Sequence, residues 1–332
     1  MAVPLLDIKG LAVTIPTRGG ERAAVSNVDF SVDRGEVVGL VGESGSGKSL
    51  SMLAVMGLLP RQFGVSGSIR FDGEEIAGAP ERRLRALRGR RIAMVFQDPM
   101  TALNPVQTIG AQITEMIRLH NAGMSRAQVR QKALSLLEAV AIPAPERRFD
   151  QYPHEFSGGM RQRVVIAIAI ANDPDLLIAD EPTTALDVTI QAQIMEIFAG
   201  LRAERGMAIV LITHDLGLVA GLADRMSVLY AGRIAERGPV GPLFAAPRHP
   251  YTASLLAAVP SIDDVSERLH AIPGTPPSLS ERPPGCAFAP RCDFAVPACR
   301  ASEPDLTRVG GSVVACHRAN DPAFAARLKE PA

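Results

Sequence analysis

Val37-Val38-Gly39-Leu40-Val41-Gly42-Glu43-Ser44-Gly45-Ser46-Gly47-Lys48-Ser49 is the stretch from which the rest of the chain can be read. Its first five residues carry no charge and predict a buried strand. Gly42, Gly45 and Gly47 then allow the backbone to wrap tightly around a ligand. From Leu50 a helical pattern runs to Leu59 and meets Pro60, which cannot continue it. A strand, a G-x-x-x-x-G-K-[ST] loop and a helix in that order predict a phosphate-binding loop. Its N–H groups point inward, and the helix adds its positive N-terminal end. Lys48 is expected to reach the β- and γ-phosphates, and the Ser49 hydroxyl to ligate Mg²⁺. A chance Gly/Ser turn is the competing reading, and the flanking strand and helix speak against it.

Outward from this loop, other strands are legible. Leu6-Asp7-Ile8, Leu11-Ala12-Val13-Thr14-Ile15 and the trio Val28, Phe30 and Val32 alternate as strands do. Apolar runs recur at Leu176-Leu177-Ile178-Ala179, Ile209-Val210-Leu211-Ile212 and Ser227-Val228-Leu229-Tyr230. Ala231-Gly232 can turn the last of these back into Arg233-Ile234-Ala235-Glu236. Between Arg82 and Pro153 the pattern is helical and polar. Ile113, Met116 and Ile117 share one helical face there, as do Val129, Ala133, Leu136, Leu137 and Val140. Strands alternating with helices predict an α/β fold with a mainly parallel sheet covered on both faces. The expected division is a core at residues 1–85 and 154–241, a helical insert at 86–153 and a separate C-terminal module at 242–332. Pro273, Gly274, Pro276, Pro277, Pro283, Pro284 and Gly285 crowd the module, so it should hold little regular structure.

At 332 residues the chain has room for about two domains. Hydrophobic residues make up 47%, enough for a sizeable core. Lys+Arg and Asp+Glu both count 35, which removes a general electrostatic case for nucleic acid or anionic lipid. Arg82, Arg83, Arg85, Arg88, Arg90 and Arg91 are a local exception. Leu84 and Leu87 fall on one helical face among them, so a solvated amphipathic helix is expected. The longest strongly apolar run, residues 164–171, is far shorter than the roughly 20 residues of a spanning helix. Met1-Ala2-Val3-Pro4 carries no secretory pattern. A soluble, cytosolic protein is expected, with any membrane attachment made through another subunit.

Four further features suit phosphate chemistry. Asp180 ends an apolar strand, where ligands gather in open α/β sheets, and is expected to hold Mg²⁺. Glu181 follows and would act on the attacking water as general base or orienting group. Gln97, after Ile92-Ala93-Met94-Val95-Phe96, could bind Mg²⁺ or order water. His214, after Ile212-Thr213 and beside Asp215, could contact the γ-phosphate. In Phe156-Ser157-Gly158-Gly159-Met160-Arg161-Gln162-Arg163, Ser157 can cap a helix while Gly158 and Gly159 admit a ligand to its N-terminus. The chain thus carries two phosphate-binding helix starts.

With these residues together, the chain resembles the ATP-binding cassette (ABC) ATPases over roughly residues 5–240. The resemblance implies a P-loop NTPase core with an antiparallel β subdomain, and ATP as the nucleotide. Ser157-Gly158-Gly159 resembles the family's signature motif, with Met160 where Gln is usual. It implies a head-to-tail dimer in which Ser157, Gly158, Gly159 and Asp187 of one subunit face the ATP held by the other. Thr184-Ala185-Leu186-Asp187 resembles the D-loop at the dimer seam. Ile15 stands where the family often stacks an aromatic residue on adenine.

Gln97-Asp98-Pro99-Met100-Thr101-Ala102-Leu103-Asn104-Pro105, Asp187-Val188-Thr189-Ile190-Gln191-Ala192-Gln193 and Arg248-His249-Pro250-Tyr251-Thr252 are similar to the dipeptide/oligopeptide permease branch. That branch implies ATP-driven import of peptides, or in some relatives nickel or glutathione. Its implied partners are a second ATPase subunit (a paralogue or another copy), two transmembrane permease subunits and an extracytoplasmic solute-binding protein. The implied location is peripheral, on the cytoplasmic face of the bacterial inner membrane. A nucleic-acid-acting ABC ATPase is the remote alternative; the chain has none of the coiled coils, second cassette or basic arms that type uses.

Cys286, Cys292, Cys299 and Cys316 are the chain's four cysteines, spaced C-x5-C-x6-C-x16-C. A cytosolic chain should not keep stable disulfides. Four thiolates suit tetrahedral Zn²⁺ or an iron–sulfur cluster, and the spacing is looser than usual zinc pairs. The permease branch carries a similar set that resembles a [4Fe–4S] site in some members. Cluster, zinc and unligated thiols all stay open, with His317 as a spare ligand.

Overall fold

The computed structural model describes residues 3–184, 186–259 and 272–328. They fall into two compact units. One draws on Met1–Val32, Val37–Gly78 and Thr213–Ala332, the other on Asp33–Glu36 and Ala79–Ile212.

In the first unit, Leu6–Thr17 pairs antiparallel with Gly20–Val32 on one side and Gly64–Phe71 on the other. The two alternating runs expected near the N-terminus form this one strand. Gly10 joins them at a φ of +57°, its N–H donating to the Asp29 carboxylate at 2.8 Å, and the register shifts between Ile8 and Leu11. An extra residue at a bulge switches the inward-facing parity. That is why Leu6 and Ile8 before it, and Leu11 and Val13 after it, are all buried.

Val37–Val41 is buried along its length and runs parallel to Arg225–Tyr230. Ala231 and Gly232, with φ of +44° and +78°, turn that strand into antiparallel Arg233–Pro239. Two left-handed residues suit the twist of a tight hairpin. The helix after the phosphate loop is Lys48–Met56. It stops before its apolar pattern does, because Gly57 at φ +60° caps it and donates its N–H to Ala54 O at 3.0 Å.

The described part of residues 242–332 packs on the sheet of the first unit. Ser312–Val314 pairs with Arg233–Pro239, and Tyr251 and Phe288 enter the core that contains Val41 and Tyr230. Ring centroids of Tyr230, Tyr251 and Phe288 lie 4.6, 5.2 and 5.3 Å apart. A Pro/Gly-rich segment has too little apolar surface for a core of its own, and its aromatics gain most by packing on a sheet.

In the second unit Ile92–Val95, Leu176–Asp180 and Ala208–Thr213 are parallel and fully buried. Helices Ile109–His120 and Arg126–Ala139 bury Ile113, Ile117, Val129, Ala133, Leu136 and Leu137, as their spacing predicts. Thr108 caps the first, and Ser125 forms a capping box with Gln128 on the second. Helix Glu81–Leu87 buries Leu87, while Arg85 and Arg88 pair with Glu81 at the surface. Among the described residues no helix is long and apolar enough to cross a membrane.

Candidate nucleotide site

The phosphate loop, residues 42–49, lies in the first unit. Gly42, Gly45 and Gly47 have φ of +149°, +76° and +102°. A Cβ on Gly42 would sit 2.2 Å from the Leu229 carbonyl oxygen, so no other residue fits there. Lys48 is buried and donates from Nζ to Gly42 O at 2.7 Å and Glu43 O at 3.0 Å. Its ammonium therefore sits inside the curl of the loop, where an arriving phosphate would meet it. Ser46 is buried, and its carbonyl accepts the Gly232 N–H at 2.9 Å, tying the loop to the hairpin turn. Ser49 follows Lys48 in the first turn of the helix.

Glu43 is held from beyond residue 241. Its N–H donates to Tyr251 Oη at 2.8 Å, and its carboxylate receives Arg291 Nη1 and Nη2 at 2.7 and 3.0 Å. Sequence reasoning missed both partners. Tyr251 stands out only through the Arg248-His249-Pro250-Tyr251-Thr252 resemblance, and nothing in local spacing points to Arg291. His249 and Glu236 brace this segment. The Glu236 carboxylate accepts the Arg248 and His249 N–H groups, and His249 Nδ1 accepts the Tyr251 N–H. Burial lowers His249 to about 4 and raises Glu236.

His214 also lies in the first unit, exposed between Thr213 and helix Leu216–Leu222. Its neighbour Asp215 caps that helix, accepting the Gly217 and Leu218 N–H groups. Ile15 is partly buried near the end of its strand, opposite Arg22.

The acidic residues lie in the second unit. Asp180 is buried at the end of Leu176–Asp180. Glu181 follows with a φ of +46°, unusual for a residue with a Cβ. Its N–H is tied to Ile212 O at 2.9 Å. Its Oε2 accepts from Gln97 Nε2 at 3.0 Å and Thr184 Oγ1 at 2.8 Å. The carboxylate thus meets Gln97, a residue 84 positions earlier. Such strained conformations are held where function needs a set direction. Thr184 is a further partner that sequence reasoning missed.

Ser157 caps helix Gly158–Ala169, its hydroxyl accepting the Met160 N–H at 3.4 Å. Gly158 has ordinary room beside Leu186. Gly159 is different: a Cβ there would lie 2.6 Å from Ile190 Cγ2, so this glycine also lets two helices pack closely. Asp187 caps helix Val188–Arg205, accepting the Ile190 N–H at 2.9 Å. Ala185, inside the stretch that resembles a D-loop, lies outside the described residues.

Cys286, Cys292, Cys299 and Cys316 line one small pocket in the first unit, with Phe288, Phe294 and Phe324. Burial pushes the Cys292 thiol up to about 12 and Cys316 up to about 11, and raises Cys286. His317 Nε2 donates to Ser302 O at 2.9 Å. Among the described residues, no group of three His, Cys, Asp or Glu side chains is arranged to hold a metal ion.

The ABC transporter family matches residues 25–184, and the family of the oligopeptide/dipeptide transporter C-terminal region matches residues 235–299. A protein of Brucella abortus named as a peptide import ATP-binding protein is 52% identical over 314 residues, 94% of each chain. One of Brucella melitensis with the same description is 52% identical over 319 residues, 92% of this chain and 94% of that one. An ATP-binding cassette solved as a dimer in a post-hydrolysis state, bound to ADP and Pi, superposes with a TM-score of 0.64 and 29% identity, over 71% of this chain and 98% of that one. CbiO1 of Clostridium perfringens, part of an ABC transporter complex, gives 0.62 and 28%, over 74% and 92%.

Proposed function

We infer that this chain, which belongs to the ABC transporter ATPase family, hydrolyses ATP to ADP and phosphate and so powers the import of peptides through a membrane permease. The observation that carries the chemistry is the Gln97–Glu181 hydrogen bond, with Glu181 turned into a left-handed conformation directly after buried Asp180. The peptide cargo is supported by the names of full-length relatives and by the C-terminal family match. Neither favours nickel, glutathione or nucleic acid.

In this reading the phosphate loop cradles the triphosphate through its N–H groups, and Lys48 leaves the loop carbonyls for the β- and γ-phosphates. Ser49, Gln97 and Asp180 supply hard oxygen donors, which suit Mg²⁺ and the charge it neutralises on the phosphates. Glu181 orients the attacking water and takes its proton, and His214 contacts the γ-phosphate. Ile15 packs by the base. Ser157, Gly158, Gly159 and Asp187 complete the site of a second ATPase subunit, head to tail, and that subunit's loop completes this one. Permease subunits hold the pair at the membrane, and a solute-binding protein delivers the cargo.

Turnover per subunit is then expected to rise with protein concentration and level off as dimers form. Constant specific activity down to concentrations at which sizing finds only monomers, with and without ATP, would overturn the two-subunit site.

The thiols remain a separate proposal. Four cysteines on one pocket support a cluster or Zn²⁺, while the lack of a ready ligand group among the described residues weighs equally against both. Anaerobically purified protein is expected to carry iron and visible absorbance. A colourless, metal-free, well-folded protein would leave the cysteines as unligated thiols.

A further inference from the structure

We propose that Arg291 and Tyr251 are positioning residues of the phosphate loop, which makes the C-terminal segment part of the nucleotide site; this rests on the nucleotide-site reading above. Every polar handle of Glu43 is engaged. Tyr251 Oη takes its N–H, Lys48 Nζ lies on its carbonyl at 3.0 Å, and Arg291 grips its carboxylate in a two-pronged pair. A planar guanidinium meeting a carboxylate this way fixes orientation as well as distance.

The clamp is itself held firmly. Arg291 has 5% of its side chain exposed. Its Nε donates to Pro273 O at 2.8 Å, and its Nη1 also reaches Tyr230 Oη at 3.2 Å. Tyr251 is fully buried among Tyr230 and Phe288. Both residues therefore reach the loop from packed surroundings, so they can impose a position on it.

The loop needs such restraint. Glycines at 42, 45 and 47 give it wide backbone freedom, which must be lost when its N–H groups converge on phosphate. Pinning Glu43, next to Gly42, removes part of that freedom in advance. Lys48 must release the Gly42 and Glu43 carbonyls as the nucleotide arrives, while the Tyr251 and Arg291 contacts persist. Pre-organisation of this kind lowers the cost of binding and leaves the chemical step alone.

Arg291 also sits in the short turn Ala289–Arg291, between Cys286 and Cys292. The backbone segment that carries two of the thiols thus also carries the side chain that grips Glu43.

The test uses the full chain with Glu43→Gln, Tyr251→Phe, Arg291→Met and the Glu43→Gln/Arg291→Met double variant. Each single variant is expected to raise the KM for ATP about tenfold, with kcat within about twofold of wild type. The double variant should match the worse single one, because both remove the same link. Single variants with wild-type KM, or a double variant whose effects multiply, would overturn the proposal. A purely structural role would lower the melting temperature without moving KM, and would overturn it too. If Arg291→Met fails to fold, Glu43→Gln and Tyr251→Phe carry the test, since neither changes packing volume appreciably. Loss of the nucleotide-site reading itself would appear elsewhere, as unchanged ATP binding in Lys48→Ala.

Discussion

A Glu181→Gln protein will bind ATP normally and hydrolyse it about 10²–10⁴-fold more slowly, the usual range for loss of a positioned general base. The amide keeps the shape of the carboxylate and one oxygen. That oxygen can still accept from Gln97 or Thr184, which lie 3.0 and 2.8 Å from Glu181 Oε2. What the amide loses is basicity. The left-handed φ at position 181 is a property of the turn and its N–H bond to Ile212, so the direction of the side chain should survive. Bound ATP should then persist and hold subunits together, and gel filtration with ATP should show dimers that wild type forms only in passing. Wild-type turnover in this variant would remove Glu181 from the chemistry.

Lys48→Ala should weaken ATP binding by about 10–100-fold, the scale of a lost charge-assisted hydrogen bond to phosphate, with turnover falling at least as far. In the structure the ammonium is buried and surrounded by loop oxygens. Removing it takes positive charge from the centre of the curl and leaves the Gly42 and Glu43 carbonyls without that donor. The loop should still be held by Tyr251 and Arg291 through Glu43, so the protein should fold. Isothermal titration and a melting curve separate the two effects. Unchanged ATP affinity and turnover in a folded Lys48→Ala protein would refute the phosphate-loop assignment.

Both variants test residues that are legible in the sequence. The loop at 42–49 could be read because its geometry is local. Three glycines at set spacing admit the sharply turning backbone path, and the strand before and helix after are equally local patterns. The Ser157 helix cap was legible for the same reason. Gly57 shows where local reading slipped, since apolar periodicity continued past a residue whose left-handed conformation ended the helix. Gly10 shows another slip: the bulge changed inward parity and fused two apparent strands into one.

Packing beyond residue 241 was less legible. Proline, glycine and cysteine content suggested an independent module. The described part lends Tyr251 and Phe288 to the core around Val41 and adds Ser312–Val314 to a strand pair. Composition reports what a segment cannot do alone, and is silent on which surface will accept its aromatic rings.

The sequence by itself determined the family and picked out the phosphate-loop and acidic-pair candidates, because each is read from short contiguous runs. Only the tertiary structure decided which groups those runs meet. Gln97 reaches Glu181 across 84 residues, and Arg291 reaches Glu43 across 248. Contacts at such separations depend on how strands are ordered and where rings are buried, and those are choices made by the whole packed core.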